Sequence, residues 1–144
     1  MRKNLLIIFV ILIIILVIAC MKYKDIQATK REVAKFNYDY EEYNKENLNG
    51  LDITTLINKA VNNNERFEIP KDEEGLYKLD DENSIEIYVK MIINDTTYRM
   101  ERINNLGINS FIAYFGEVNF KCTGIEYHKK TGKIASMTFE ATEY

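Results

Sequence analysis

Leu5-Leu6-Ile7-Ile8-Phe9-Val10-Ile11-Leu12-Ile13-Ile14-Ile15-Leu16-Val17-Ile18-Ala19-Cys20-Met21 is a run of seventeen apolar residues without a charge, Pro or Gly. As a helix rising roughly 1.5 Å per residue it covers about 25 Å, against about 30 Å of bilayer hydrocarbon. That suffices for a span if Met1 to Asn4 and Lys22 sit at the two interfaces. A core helix would carry a polar stripe on one face, and this run has none. The expectation is therefore a segment that takes the chain to a membrane.

Two uses of the run compete. In the first it is a retained single-pass signal-anchor. In the second it is the apolar part of a cleaved signal, because Val17-Ile18-Ala19-Cys20 resembles the bacterial lipobox. That box would make Cys20 the candidate lipidation site and the new N-terminus. The box is weak, with Val17 where Leu is usual, so the retained anchor is preferred. Orientation is also contested. Lys22, Lys24, Lys30, Arg31 and Lys35 after the run outnumber Arg2 and Lys3 before it, which favours a cytoplasmic body. A short basic start before an apolar run is how an export signal begins, and the reading adopted is an extracytoplasmic body.

The 144 residues leave room for one small domain after this segment. Beyond residue 20 the chain has 17 basic and 22 acidic side chains. Such an acidic body argues against nucleic acid, whose phosphates need clustered Lys and Arg. Cys20 and Cys122, the only two cysteines, draw no intramolecular disulfide framework.

From Lys22 to about Asn47 the sequence reads as a helix continuous with the anchor. Ile26, Val33, Phe36, Tyr40 and Tyr43 form a narrow stripe, with charges on the other faces. Leu48-Asn49-Gly50 is expected to end it, with Gly50 at positive φ. Asp52 is the expected N-cap of a second helix. Its core face is Ile53, Leu56, Ile57, Ala60 and Val61, and Asn62-Asn63-Asn64 is expected to fray its end.

The pattern then changes to period two. Arg66-Phe67-Glu68-Ile69 reads as a short strand stopped by Pro70. Asp72-Glu73-Glu74-Gly75 and Asp80-Asp81-Glu82-Asn83 read as polar turns. From Ser84 the odd positions Ile85, Ile87, Val89, Met91 and Ile93 are apolar, with Glu86, Lys90 and Asn94 among the even ones: a half-buried strand. A turn at Asn94-Asp95 would pair Met91 with Tyr98 and Val89 with Met100, and would set Lys90 against Arg99. Gly107 breaks the returning strand. Asn109 or Ser110 then caps one short helix through Phe111, Ile112, Tyr114 and Phe115, closed by Gly116.

Val118 to His128 and Lys133 to about Thr142 form a last hairpin, with Gly132 in the left-handed region of its loop. Pairing Lys129 with Lys133 puts Tyr127 against Ala135 and Ile125 against Met137. The apolar positions change parity between Cys122 and Ile125, which one bulge at Gly124 repairs. The shifted register sets Cys122 against Phe139 and Phe120 against Ala141.

The expected architecture is α+β: an N-terminal transmembrane and stalk helix, and a second helix packed on an antiparallel sheet of about five strands. This is a pilin-like plan by analogy only; the Gly-Phe-Thr-Leu-x-Glu processing signature is absent. The divisions are residues 1–22 (anchor or signal), 23–48 (stalk helix) and 49–144 (extracytoplasmic domain).

The strings GLDITTLINKAVNNN, YRMERINNLG and FKCTGIEYHKKTGKIASMTFE resemble an uncharacterised family of short, N-terminally membrane-anchored proteins of clostridia-like, low-GC Gram-positive bacteria. The resemblance covers most of residues 28–144. It implies one span, an α+β body and a bacterial source. It transfers no activity and no functional residue.

Candidate chemistry is sparse. His128 and Cys122 invite a nucleophilic pair, but six strand steps at about 3.3 Å put roughly 20 Å between them. The expectation is a solvent-facing His128 beside a turn, near enough to Glu126 for a surface pair, and a buried Cys122. The acidic turns offer oxygens for Ca²⁺ but lack EF-hand spacing, so they read as solvated turns. Asn94-Asp95-Thr96 matches a glycosylation acceptor and also suits a tight turn. Tyr23 suits a membrane interface, while Tyr38, Tyr40 and Tyr43 read as core against the sheet or as a contact surface for a partner. No phosphate-binding Gly loop, Ser nucleophile elbow, zinc spacing or basic patch occurs. The expected function is a non-catalytic membrane-anchored structural or interaction module. Its expected partners are the lipid bilayer and other envelope proteins or a second copy, with no cofactor, metal or catalytic residue. The alternative is a lipoprotein that binds a small ligand or ion.

Overall fold

A computed structural model describes residues 2–80, 82–92 and 95–143 of the chain. Ile93, Asn94 and Asp81, and with them the glycosylation pattern and half of the expected 94–95 turn, lie outside the described residues. The chain divides into two compact units, Met1–Lys35 and Phe36–Tyr144.

The first unit is helical. Helix α1, Arg2–Glu41, runs through the apolar stretch and past the unit boundary without a break. It stops short of the expected Asn47: turns at Tyr43, Asn44 and Lys45 close it. From Ile7 the helix is long and apolar enough to cross a membrane, and none of its most apolar window is buried.

The second unit begins with the end of α1 and continues through β1 (Leu48–Asn49), α2 (Gly50–Arg66), β2 (Glu86–Met91), β3 (Thr96–Arg99), α3 (Met100–Leu106), α4 (Ile108–Phe115), β4 (Asn119–Tyr127) and β5 (Ile134–Glu143). The five strands form one sheet in the order β1-β4-β5-β2-β3. The fold is α+β as expected, but the sheet is mixed: β2 and β5 run parallel, with Ile87 beside Met137 and Val89 beside Phe139. Both strands lie inside the sheet and both carry fully buried apolar rows. The parallel pair thus sits at the sheet's apolar centre.

Helix α2 packs its expected stripe inward. Ile53, Leu56, Ile57 and Ala60 are fully buried and Val61 nearly so. Its start differs from expectation. Asn49, not Asp52, is the N-cap, and Asp52 at N3 bonds back to the Asn49 amide in a reciprocal capping box. Leu48-Asn49 is therefore a strand stub beside Phe120 and Asn119 of β4 rather than a helix stop. Gly50 is required for closeness and not for positive φ: a Cβ there would lie 2.0 Å from the Phe115 carbonyl oxygen at the end of α4. Gly50→Ala is expected to push α4 away from α2 and to destabilise by about 1–3 kcal/mol. Thermal unfolding of the full chain, followed by near-ultraviolet circular dichroism, checks it.

The end of α2 is not frayed. The helix runs to Arg66 and turns out through Phe67, so residues 66–69 are not a strand; Glu68 sits at φ +53. Asn64 is fully buried and acts as a piece of strand. Its Nδ2 donates to the Ile85 carbonyl at 2.8 Å, and its Oδ1 accepts from the Ile85 amide at 2.9 Å. Asn37, near the end of α1, does the same for the last hairpin, donating to Gly132 O and accepting from Ile134 N, both at 2.9 Å.

The β2–β3 register is shifted by two residues from the expected one. Val89 lies opposite Tyr98, Met91 opposite Thr96 and Lys90 opposite Thr97. The Lys90–Arg99 clash never forms, and the Lys90 ammonium sits 2.9 Å from Asp95 and 3.5 Å from Glu140. The slip follows from Met100 leaving the strand: it begins α3, and Met100 and Ile103 are both buried there. Helix α4 starts from Gly107 at φ +96, without the expected Asn109 or Ser110 cap. The last hairpin agrees with its reading where the apolar pairs decide it. Cys122 faces Phe139, Phe120 faces Ala141 and Ile125 faces Met137, with the register shift between Cys122 and Gly124. Tyr127 pairs with Ile134 instead of Ala135 after a further shift, and Gly132 has φ +73.

Candidate functional site

The densest polar chemistry of the second unit lies where β2, β3 and α3 meet. Glu86 occupies an even position of β2, the row expected to face solvent, yet it is fully buried. Arg99, the last residue of β3, turns its guanidinium onto it, and one Arg99 Nη pairs with Glu86 Oε2. The same nitrogen lies 3.1 Å from Glu101 Oε1 on α3, itself 3% exposed, and donates to the Tyr77 carbonyl at 3.3 Å. Glu101 Oε1 also accepts from the Tyr77 amide at 2.8 Å, and Glu86 Oε1 from the Met100 amide at 3.4 Å. Two buried carboxylates thus share one guanidinium, and together they hold β2, β3, α3 and the loop carrying Tyr77. Tyr77 OH, Arg99 Nε and Glu101 Oε2 are buried there without a hydrogen-bond partner.

One guanidinium neutralises one carboxylate, so with both carboxylates ionised the centre would hold an excess negative charge away from water. Burial pushes the Glu86 carboxyl up to about 7, against the lowering effect of its Arg99 hydrogen bond, and the neighbouring Glu101 raises it further. The chemistry on offer is proton uptake and release near neutrality. Arg99, with 29% of its side chain exposed, links the centre to solvent.

The residues singled out from the sequence lie elsewhere. His128 is buried rather than solvent-facing, and its Nε2 donates to the Ser84 carbonyl at 2.7 Å, fixing the hairpin end against the start of β2. Cys122 is half-buried, with its thiol toward Gly124 O at 3.7 Å, and burial pushes that thiol up. Their partners are separate and the structure does not bring them together as a pair. Glu126 accepts from the Ser136 hydroxyl at 3.3 Å. Asp72 accepts from the Glu74 and Leu76 amides. Asp80 accepts from the Glu82, Asn83 and Ser84 amides. Burial pushes the Asp80 carboxyl up, but these three donors outweigh it and hold it below its usual range. Both acids are spent on their own turns. Among the described residues no three His, Cys, Asp or Glu side chains converge as metal ligands would.

The tyrosines divide. Tyr40 is core, 3% exposed, with its hydroxyl 3.4 Å from the Lys59 carbonyl, and Tyr43 is half-buried. Tyr38 is exposed on the outer side of α1. A shallow groove of about 220 Å³ lies between the last turns of α1 and α2, floored by Phe36 and Tyr40 and edged by Lys59 and Arg66. Cys20 is exposed on α1 within the first unit.

Comparison with protein-family models, with curated proteins and with solved structures finds no match.

Sequence reading missed the Glu86–Arg99–Glu101 centre. Period two places Glu86 on the wet row, and nothing local shows that Arg99 and Glu101 will cover it. The one available signal was Arg99-Met100-Glu101, opposite charges bracketing an apolar residue directly after a strand.

Proposed function

We propose that the chain is a single-pass, membrane-tethered module with an extracytoplasmic body, and that its role is structural or interactive rather than catalytic. The observation that carries the tether is α1, whose apolar stretch finds no burial within the protein. Apolar side chains at this density bury themselves in lipid when the protein offers no core for them. The envelope is the setting in which a small tethered domain meets partners, either other envelope proteins or a second copy.

The test is crosslinking in native membranes, with reporter fusions at the C-terminus. The expected result is an externally accessible reporter and a crosslinked species heavier than the monomer. A cytoplasmic reporter, or monomer alone at every crosslinker length, contradicts the reading. Exposed Cys20 near the end of the run favours lipidation as a second reading. The intact mass of the mature protein separates the two. The anchor gives a mass that includes residues 1–19, whereas the lipoprotein begins at Cys20 and carries acyl mass that Cys20→Ser removes.

A further inference from the structure

We propose that the Glu86–Arg99–Glu101 centre is a proton-operated fastener: one proton on the carboxyl pair keeps β3, α3 and the Tyr77 loop docked on β2, and its release loosens them. The argument starts from charge counting. Two carboxylates, one fully buried and one 3% exposed, meet a single guanidinium. Doubly ionised, the centre holds an uncompensated charge out of water, and the cheapest relief is to let one carboxylate swing toward solvent. Singly protonated, it is neutral overall, and the added O–H is a donor where unpartnered Glu101 Oε2 stands ready to accept.

The segments that would move are those the centre holds. Glu101 Oε1 is the acceptor for the Tyr77 amide, Arg99 donates to the Tyr77 carbonyl, and Glu86 accepts from the first amide of α3. Swinging Glu101 outward therefore frees the Tyr77 loop and the start of α3 in one step.

The groups facing Glu86 come from several elements. Arg99 lies on β3, Glu101 on α3, Tyr77 on the loop with Lys71 over its ring, and Tyr88 on β2 itself. Across the sheet, Ser136 of β5 lies beside Glu86, with Glu126 of β4 behind it. His128 is bonded to the carbonyl of Ser84, two residues upstream of Glu86. The direction follows from burial. The Glu86 carboxyl is raised from 4.5 to about 7, so its stabilising contribution is complete below about 4.5. That contribution is lost as pH rises through about 7. The inference is independent of the membrane tether: either can fail alone.

The test is amide hydrogen exchange of the full chain in detergent micelles at pH 5 and pH 8, corrected for intrinsic exchange rates. For Tyr77 and the first turn of α3 the opening constant is expected to rise on the order of a hundredfold, a tenfold step per unit of raised pKa. Core amides of α2 should change far less. Glu86→Gln keeps the shape and the acceptor while removing the proton site, and is expected to abolish the difference. His128→Gln is expected to leave it in place. A pH-independent wild type, a response that persists in Glu86→Gln, or one that vanishes in His128→Gln each overturns the proposal. If Glu86→Gln does not fold, the ¹³C carboxyl resonance of Glu86 in the wild type decides. An inflection near pH 7 supports the fastener, and one below pH 5 rejects it.

Discussion

Arg99→Met is expected to destabilise the second unit by about 3–5 kcal/mol at neutral pH, the cost of stranding buried carboxylates without their cation. Met fills the space of the Arg stem, so the loss reports charge rather than volume. Glu86 and Glu101 would then face each other with no counter-charge, and the Tyr77 carbonyl would lose its donor. Arg99→Lys should recover only part of the loss, because an ammonium is more strongly hydrated than a guanidinium and costs more to hold beside buried carboxylates. Chemical denaturation of the full chain in detergent measures both. Repeating it near pH 4 should shrink the Arg99→Met penalty, because Glu86 is then neutral. A penalty under 1 kcal/mol at neutral pH would mean that the centre is not buried as described.

Asn64→Ala is expected to cost about 2–4 kcal/mol. Its amide satisfies both the N–H and the C=O of Ile85, in a place closed to water, and each buried orphan costs roughly 1–3 kcal/mol. Asn64→Asp keeps the acceptor, loses the donor and adds a buried charge, so it should be no better than Ala. Asn63→Ala should be milder, since Asn63 bonds chiefly to the Asn83 carbonyl and is slightly exposed. Denaturation midpoints of the three variants give the order directly.

These two sites mark where sequence reading stops. It reached what is local and periodic. The α2 stripe needs only the 3.6-residue period, and the β4–β5 register follows from aligning apolar rows around one bulge near Gly124. It misplaced groups whose surroundings come from distant segments. Asn64 in a run of three Asn looks like a fraying end, and only Ile85, twenty-one residues on, makes it a strand surrogate. Glu86 looks wet until Arg99 and α3 cover it. His128 looks like a loop residue until the Ser84 carbonyl accepts a hydrogen bond from its ring. Helix α3 was lost because Met100 and Ile103 continue a plausible strand as readily as they start a helix turn. The parallel β2–β5 pair was illegible because alternation reveals a strand's buried face and not its neighbour. For Gly50, sequence indicated the residue and misjudged the reason: a contact with Phe115, sixty-five positions away, demands the missing side chain.

Fractionation of gently lysed cells tests most directly whether residues 5–21 deliver this chain to lipid. The full-length protein should sediment with the membranes, stay there through an alkaline carbonate wash, and enter the supernatant only when detergent is added. Full-length protein in the detergent-free supernatant, monomeric and folded, would contradict the tether and the function built on it.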